Sequence, residues 1–140
     1  MISIVLVSHS QKITEGLQEM IVEMVGDTVH IISSGGTGDG RLGTNAIMIA
    51  DNIATCTNSE HIYIFCDIGS AILSAETALE LLETDLLEKT TIIDAPLVEG
   101  AFTAAVQSLV NPSKEAILQD SQTCIKNVIK RNFVTGNYVN

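Results

Sequence analysis

Four short, nearly continuous apolar runs punctuate the chain: Ile2–Ser8, Thr28–Ser33, His61–Cys66 and Thr90–Asp94. Each is rich in β-branched residues and lacks alternating polar positions, the pattern of strands covered on both faces. Between the runs the apolar spacing changes to three and four. Ile13, Leu17, Met20, Ile21, Met24 and Val25 line one face of a helix behind Ser10, whose hydroxyl suits an N-cap. Ala46, Ile49, Ala50 and Ile53 mark a second helix, and Ile72, Ala75, Leu79 and Leu82 a third. Val98, Ala101, Phe102, Ala105 and Leu109 follow Pro96, a residue that fits a first helical turn. A fifth helix follows Asn111-Pro112, with Ile117, Ser121, Cys124, Ile125 and Val128 on one side. The tail, Phe133–Asn140, is β-prone around Gly136-Asn137 and reads as an edge strand or an arm reaching a neighbouring subunit.

The order β-α-β-α-β-α-β-α-α predicts an α/β domain with an open, mainly parallel four-stranded sheet, flavodoxin-like and flanked by helices. The 140 residues suit a single domain, 1–140. Right-handed crossovers favour strand order 2-1-3-4, which opens a crevice at the carboxyl ends of strands 1 and 3. Strand 1 ends at Ser8-His9-Ser10, and strand 3 at Asp67-Ile68-Gly69-Ser70-Ala71. The glycine-rich loop from Gly35 to Gly40 follows strand 2. A histidine, an aspartate, hydroxyls and this loop should meet at one place.

Charge narrows the partners. Seven Lys and Arg against 17 Asp and Glu give a formal charge of −10. Bulk charge therefore argues against nucleic acid and for attraction of a basic protein. From Leu42 to Glu88 there are eight acidic residues and no Lys or Arg. Cys56, Cys66 and Cys124 are odd in number and form no CxxC pair, which argues against a disulfide scaffold or a cysteine zinc site and fits a reducing cytosol. No apolar run approaches the ~18–20 residues of a membrane span, and the amino terminus lacks the basic start and cleavage site of a signal peptide. A cytoplasmic location is expected, with no membrane partner.

His9 is the leading candidate for chemistry. It lies between a buried strand and a helix N-terminus, where free N–H groups can receive an anion carried on the imidazole. A polar residue that merely closes the loop is the competing account. Asp67, across the crevice, would hold one ring nitrogen so that the other can attack; a plain turn or capping aspartate is its competing account. Gly69 and Ser70 form a second helix start aimed at the same place, with the Ser70 hydroxyl able to donate to a phosphoryl oxygen. Gly36 and Thr37 are candidates to contact the phosphoryl group from the glycine loop. Gly38-Asp39-Gly40-Arg41-Leu42-Gly43 matches G-x-G-x-x-G, but it follows the second strand and lacks a G-K-[ST] ending. A flap or phosphate-contacting turn, or a plain flexible loop, explains it better than a nucleotide fingerprint. Arg41 could meet an anion there or simply be solvated. His30 and His61 open strands 2 and 3, roughly 15–20 Å from His9 at ~3.3 Å per residue, which excludes a three-histidine metal site. Cys66 lacks the downstream arginine of a phosphatase loop, since that position is Ile72, and reads as a buried strand cysteine. No cofactor or metal is expected.

At these residues the chain resembles the phosphotransferase subunits, DhaM, of bacterial phosphoenolpyruvate (PEP)-dependent dihydroxyacetone kinases. It is more distantly similar to the mannose-family enzyme IIA of sugar transport. The blocks that carry the resemblance begin at Ile4–Ser10 and continue through Gly43-Thr44-Asn45, Asp67–Ala71, Leu73–Leu82 and Ala95–Gly100, across about the first 110 residues. The helix-3 and Pro-Leu-Val-Glu-Gly blocks favour the kinase subunit, and the length suits a one-domain form. The resemblance implies that the carrier protein HPr donates a phosphoryl group to His9, which passes it to ADP on a nucleotide-binding kinase subunit. It also implies a homodimer. Two alternatives stay open: a sugar-transport enzyme IIA that hands phosphate to a IIB domain, and a non-enzymatic flavodoxin-like module that binds a small anion.

Overall fold

The computed structural model describes residues 1–135, with side chains through residue 124. Four parallel strands, β1 (Ile2–Val7), β2 (His30–Ser33), β3 (His61–Cys66) and β4 (Thr90–Ile92), form one sheet in the order β2-β1-β3-β4. The predicted order is thus the observed one. β1 pairs with β3 along its whole length and with β2 from Ser3 to Leu6, so that Ser3 lies opposite His30 and Ile62, and Leu6 opposite Ser33 and Phe65.

The helices are α1 (Gln11–Val25), α2 (Ala46–Ala54), α3 (Gly69–Glu80), α4 (Thr84–Glu88), α5 (Leu97–Val110) and α6 (Lys114–Thr135). They cover both sheet faces, and the two-residue period of the strands divides the core accordingly. Ile4, Leu6, Tyr63 and Phe65 point to the layer of α1, α5 and α6, where Leu17, Ile21, Ala101, Ala105 and Ile117 pack against them. Val5, Val7, Ile62, Ile64 and Cys66 point to the layer of α2, α3 and α4, against Ile49, Ile53, Ala71, Ala75 and Leu86. Burial on both sides makes each strand's apolar run continuous.

The approach of α5 is close enough to require glycine. A Cβ on Gly100 would stand 2.9 Å from Ala95 Cβ and 3.2 Å from the Phe65 ring. The buried residues along that helix are otherwise small or branch late: Leu97, Ala101, Ala104 and Ala105.

Several expectations are corrected in detail. The buried stripe of α1 is Thr14, Leu17, Ile21 and Val25, whereas Ile13, Met20 and Met24 are exposed. Thr14 is admitted to the interior because its hydroxyl donates to Gln11 O (3.1 Å) and accepts from Ser33 Oγ (2.7 Å). In α3 the buried face is Ala71, Ala75 and Ala78; Ile72 is 40% exposed. Val98 and Leu109 on α5 are exposed as well. These helices carry more apolar residues than their buried stripes need, so periodicity alone could not select the facing set. A short helix not foreseen, α4, forms where Leu86 drops into the core while its neighbour Leu87 stays exposed. Thr28, expected to open β2, instead ends a 3-10 turn over Gly26–Thr28, and the strand begins at His30. Phe133–Thr135, expected to be β-prone, continue α6; the rest of the expected edge strand, 136–140, lies outside the described residues.

Candidate functional site

The strand order reverses its direction of growth between β1 and β3, and the loops leaving their carboxyl ends diverge there. His9 sits on the first loop, between β1 and Ser10, which caps α1 by accepting the Ile13 N–H. Asp67 sits on the second, held in register by its own N–H donating to Val7 O (3.1 Å). Neighbouring parallel strands of equal length therefore place the two side chains face to face.

His9 Nδ1 lies 3.1 Å from Asp67 Oδ1 and 3.3 Å from Oδ2. The carboxylate also accepts the His9 main-chain N–H on Oδ2 (3.0 Å), the Ser8 hydroxyl on Oδ2 (2.9 Å) and the Ile68 N–H on Oδ1 (2.7 Å). Burial pushes the Asp67 carboxyl up, but these donors together outweigh it and hold the group below its ordinary value. An ionised Asp67 can only accept, so Nδ1 carries the proton and Nε2 keeps its lone pair. Ser70 Oγ stands 2.5 Å from Nε2 and donates to it. Both side chains remain partly open to solvent, 27% for His9 and 20% for Asp67. Nε2 thus faces the first turn of α3, a helix without a side-chain cap at Ile68.

The glycine loop reaches the site through its backbone. The Gly36 N–H donates to Ser8 O (3.0 Å), and the Gly43 N–H donates to His9 O (2.8 Å). Gly43 has φ +133°, a conformation that disfavours any side chain, and an added Cβ would stand 2.9 Å from Thr37 Cγ2. The Thr37 hydroxyl bonds Asp39 and Arg41 O, and Arg41 pairs with Asp39 at 2.9 Å. The Asp39 carboxyl is lowered chiefly by that guanidinium and next by Thr37. The hydrogen bonds of Gly36 and Thr37 are therefore directed within the loop and to the Ser8 backbone, while Gly69 and Ser70 open the helix facing the ring.

The remaining candidates lie apart or are inert. His30 bonds Ser3 Oγ (3.3 Å) and His61 stacks on Tyr63 at 5.9 Å between centroids, both at the amino ends of their strands. Among the described residues no cluster of His, Cys, Asp or Glu could hold a metal. The Cys66 thiol is pushed up to about 12, by burial first and then by Asp67 and Glu76, which leaves it protonated and unreactive. Beside Asp67 a cavity of about 540 Å³ opens between Ile72, Ile92, Asp94 and Pro96. Ile68, Ile72 and Leu73 are exposed around the first turns of α3, and Leu42 and Ile47 are exposed on the loop and α2. Helical periodicity hides this apolar rim, because it places Ile72 on the core face of α3.

A family model, EIIA-man, described as the PTS system fructose IIA component, matches residues 3–118. The chain belongs to the EIIA-man family. Within it, the phosphoryl donor subunit DhaM of PEP-dependent dihydroxyacetone kinase 2 from Listeria innocua serovar 6a is 97% identical over 120 residues, covering 86% of this chain and 96% of that subunit. The DhaM subunit of dihydroxyacetone kinase 1 from the same organism is 32% identical over 120 residues, covering 86% and 92%. The DhaM of Providencia stuartii is 37% identical over 129 residues, but the match spans only 27% of that longer protein. A crystal structure of a protein described as of unknown function superposes with a TM-score of 0.81 at 43% identity, covering 87% of this chain and 93% of that one. No helix among the described residues is long and apolar enough to cross a membrane.

Proposed function

We propose that this chain is the phosphoryl donor subunit of a PEP-dependent dihydroxyacetone kinase, accepting a phosphoryl group from HPr on His9 Nε2 and passing it to ADP on the nucleotide-binding subunit. One observation carries the reading: the two ring nitrogens of His9 are set apart, Nδ1 bound to an ionised Asp67 and Nε2 aimed at Ser70. The kinase assignment is supported by the DhaM relatives that this chain matches over nearly their whole length. The names of these relatives favour an acceptor within a dihydroxyacetone kinase over a sugar-transport IIB domain.

The chemistry follows from that polarity. The Nε2 lone pair attacks phosphorus in line as the bond from phosphorus to the phosphorylated residue of HPr breaks. The proton stays on Nδ1, so the phosphorylated ring is cationic and Asp67 balances its charge. The Ser70 hydroxyl turns from Nε2 to a phosphoryl oxygen, joined by the first N–H groups of α3 at Gly69 and Ser70. In the second half-reaction a β-phosphate oxygen of ADP attacks, the P–N bond breaks, and the lone pair returns to Nε2. No metal or cofactor is required of this chain. Positioning and fixed charge supply most of the rate. Gly36 and Thr37 serve by shaping the loop behind Ser8 and His9.

The exposed apolar rim and the acidic stretch around it fit a donor with a basic contact face. A homodimer in the cytoplasm completes the proposal. The test is incubation with PEP, enzyme I and HPr. Acid-labile, base-stable phosphate should appear on the wild-type chain and be absent from His9→Ala, with helical content unchanged. Equal labelling of the variant overturns the assignment, and no labelling of the wild type would favour an anion-binding module.

A further inference from the structure

We infer that Ser8 is a positioning residue for this transfer: its buried hydroxyl fixes the Asp67 carboxylate that in turn holds the His9 ring. The inference rests on the proposed role of His9. Ser8 follows the last residue of β1 and is fully buried. Its hydroxyl makes two hydrogen bonds, accepting the Ser10 N–H at 3.0 Å and donating to Asp67 Oδ2 at 2.9 Å. Because a main-chain N–H can only donate, the hydroxyl proton is directed to Asp67.

The other donors to the carboxylate are the His9 and Ile68 main-chain N–H groups and the His9 ring itself. Ser8 is therefore the side chain, apart from the ring, that sets the carboxylate's orientation. Each oxygen takes one main-chain donor, and Ser8 adds a side-chain donor to Oδ2, whereas Nδ1 reaches both oxygens. Nδ1 is almost equidistant from the two oxygens, at 3.1 and 3.3 Å, so the ring does not lock the carboxylate by itself. Removing the Ser8 hydroxyl leaves Oδ2 with one firm donor and frees the group to turn away from the ring.

The surroundings make that hydroxyl matter more. The ionisable groups near Asp67 are mostly acids: Asp94 in the shared cavity beyond β4, Glu76 on α3 and the neutral Cys66 thiol on β3, with His9 as the facing base. Burial disfavours an ionised Asp67, and the Ser8 hydrogen bond is among the donors that favour it. The Ser8 backbone is held separately, by the Gly36 N–H on its carbonyl, so loss of the side chain need not displace His9.

The experiment uses the full chain and Ser8→Ala, with Ser8→Cys as a second variant that keeps a weaker donor. Single-turnover transfer from phospho-HPr should fall about 10-fold in Ser8→Ala. Nitrogen NMR of the imidazole should show a single Nδ1–H tautomer in wild type and a mixture in Ser8→Ala, with Ser8→Cys between them. The protonation of Asp67, followed by the chemical shift of its carboxyl carbon, should move to higher pH in the same order. An unchanged tautomer and Asp67 titration in a folded variant, even a slower one, would reduce Ser8 to packing and overturn the inference. If Ser8→Ala does not fold, the same two readouts on Ser8→Cys decide. The tautomer is measured without a donor, so absence of phosphate on the wild type would count against the transfer reading alone.

Discussion

Ser70 Oγ lies 2.5 Å from His9 Nε2, on the side of the ring opposite Asp67. The imidazole is thus bonded at both nitrogens, and in the proposed transfer the hydroxyl occupies the approach to Nε2. That transfer requires it to turn aside, with the incoming phosphoryl oxygen as its new acceptor.

Ser70→Ala removes that donor without touching the core, because Ser70 is exposed at the first turn of α3. Transfer should fall about 10-fold, less than the 10²–10³ typical of a fully enclosed oxyanion donor, since solvent can replace part of the interaction. Quenched-flow transfer from phospho-HPr measures it; a wild-type rate would remove Ser70 from the transition state.

Asp67→Asn should be more damaging than loss of charge alone suggests. Both carboxylate oxygens face a main-chain N–H, from His9 on Oδ2 and from Ile68 on Oδ1. In either orientation the amide NH₂ must oppose one of these donors, at a cost of about 1–3 kcal/mol. Transfer should drop at least 10-fold, and thermal unfolding should show the stability loss. A fully stable variant with normal transfer would contradict the geometry.

The pH dependence has a definite sign. The folded Asp67 carboxyl lies below its unfolded value of about 3.9, so its contribution to stability is complete above that pH. The contribution is lost as pH falls through the lower folded value. Urea titrations between pH 6 and pH 2.5 should show a steeper acid loss of stability in wild type than in Asp67→Asn. Parallel curves would mean that Asp67 titrates alike in the two states.

Glu76 and Glu80 are exposed on α3, close to the apolar rim. If the acidic surface steers a basic donor, the second-order transfer rate should fall as salt rises to physiological strength, where the Debye length is about 8 Å. Glu76→Gln with Glu80→Gln should lower the rate at low salt and flatten its salt dependence. Stopped-flow transfer at several salt concentrations tests this, and a salt-independent wild-type rate would leave the charge of −10 a role in solubility alone.

The sequence by itself determined the sheet and the meeting of His9 with Asp67. Continuous β-branched runs can be satisfied only where both faces are covered, and crossover handedness then leaves few strand orders. Once β1 and β3 are neighbours, the residues that follow them must meet. The tertiary structure decided what periodicity leaves degenerate. Ile72 and Ile13 are as apolar as Leu17, yet they are exposed because a helix laid on a sheet buries only the stripe its azimuth selects. Thr14 is inside because Ser33 happens to lie across from it. The role of the glycine loop was equally hidden, since its Gly36 and Gly43 N–H groups act on Ser8 and His9 carbonyls supplied by a different strand. Such long-range main-chain bonds leave no mark in local composition; they exist only once the two loops are folded side by side.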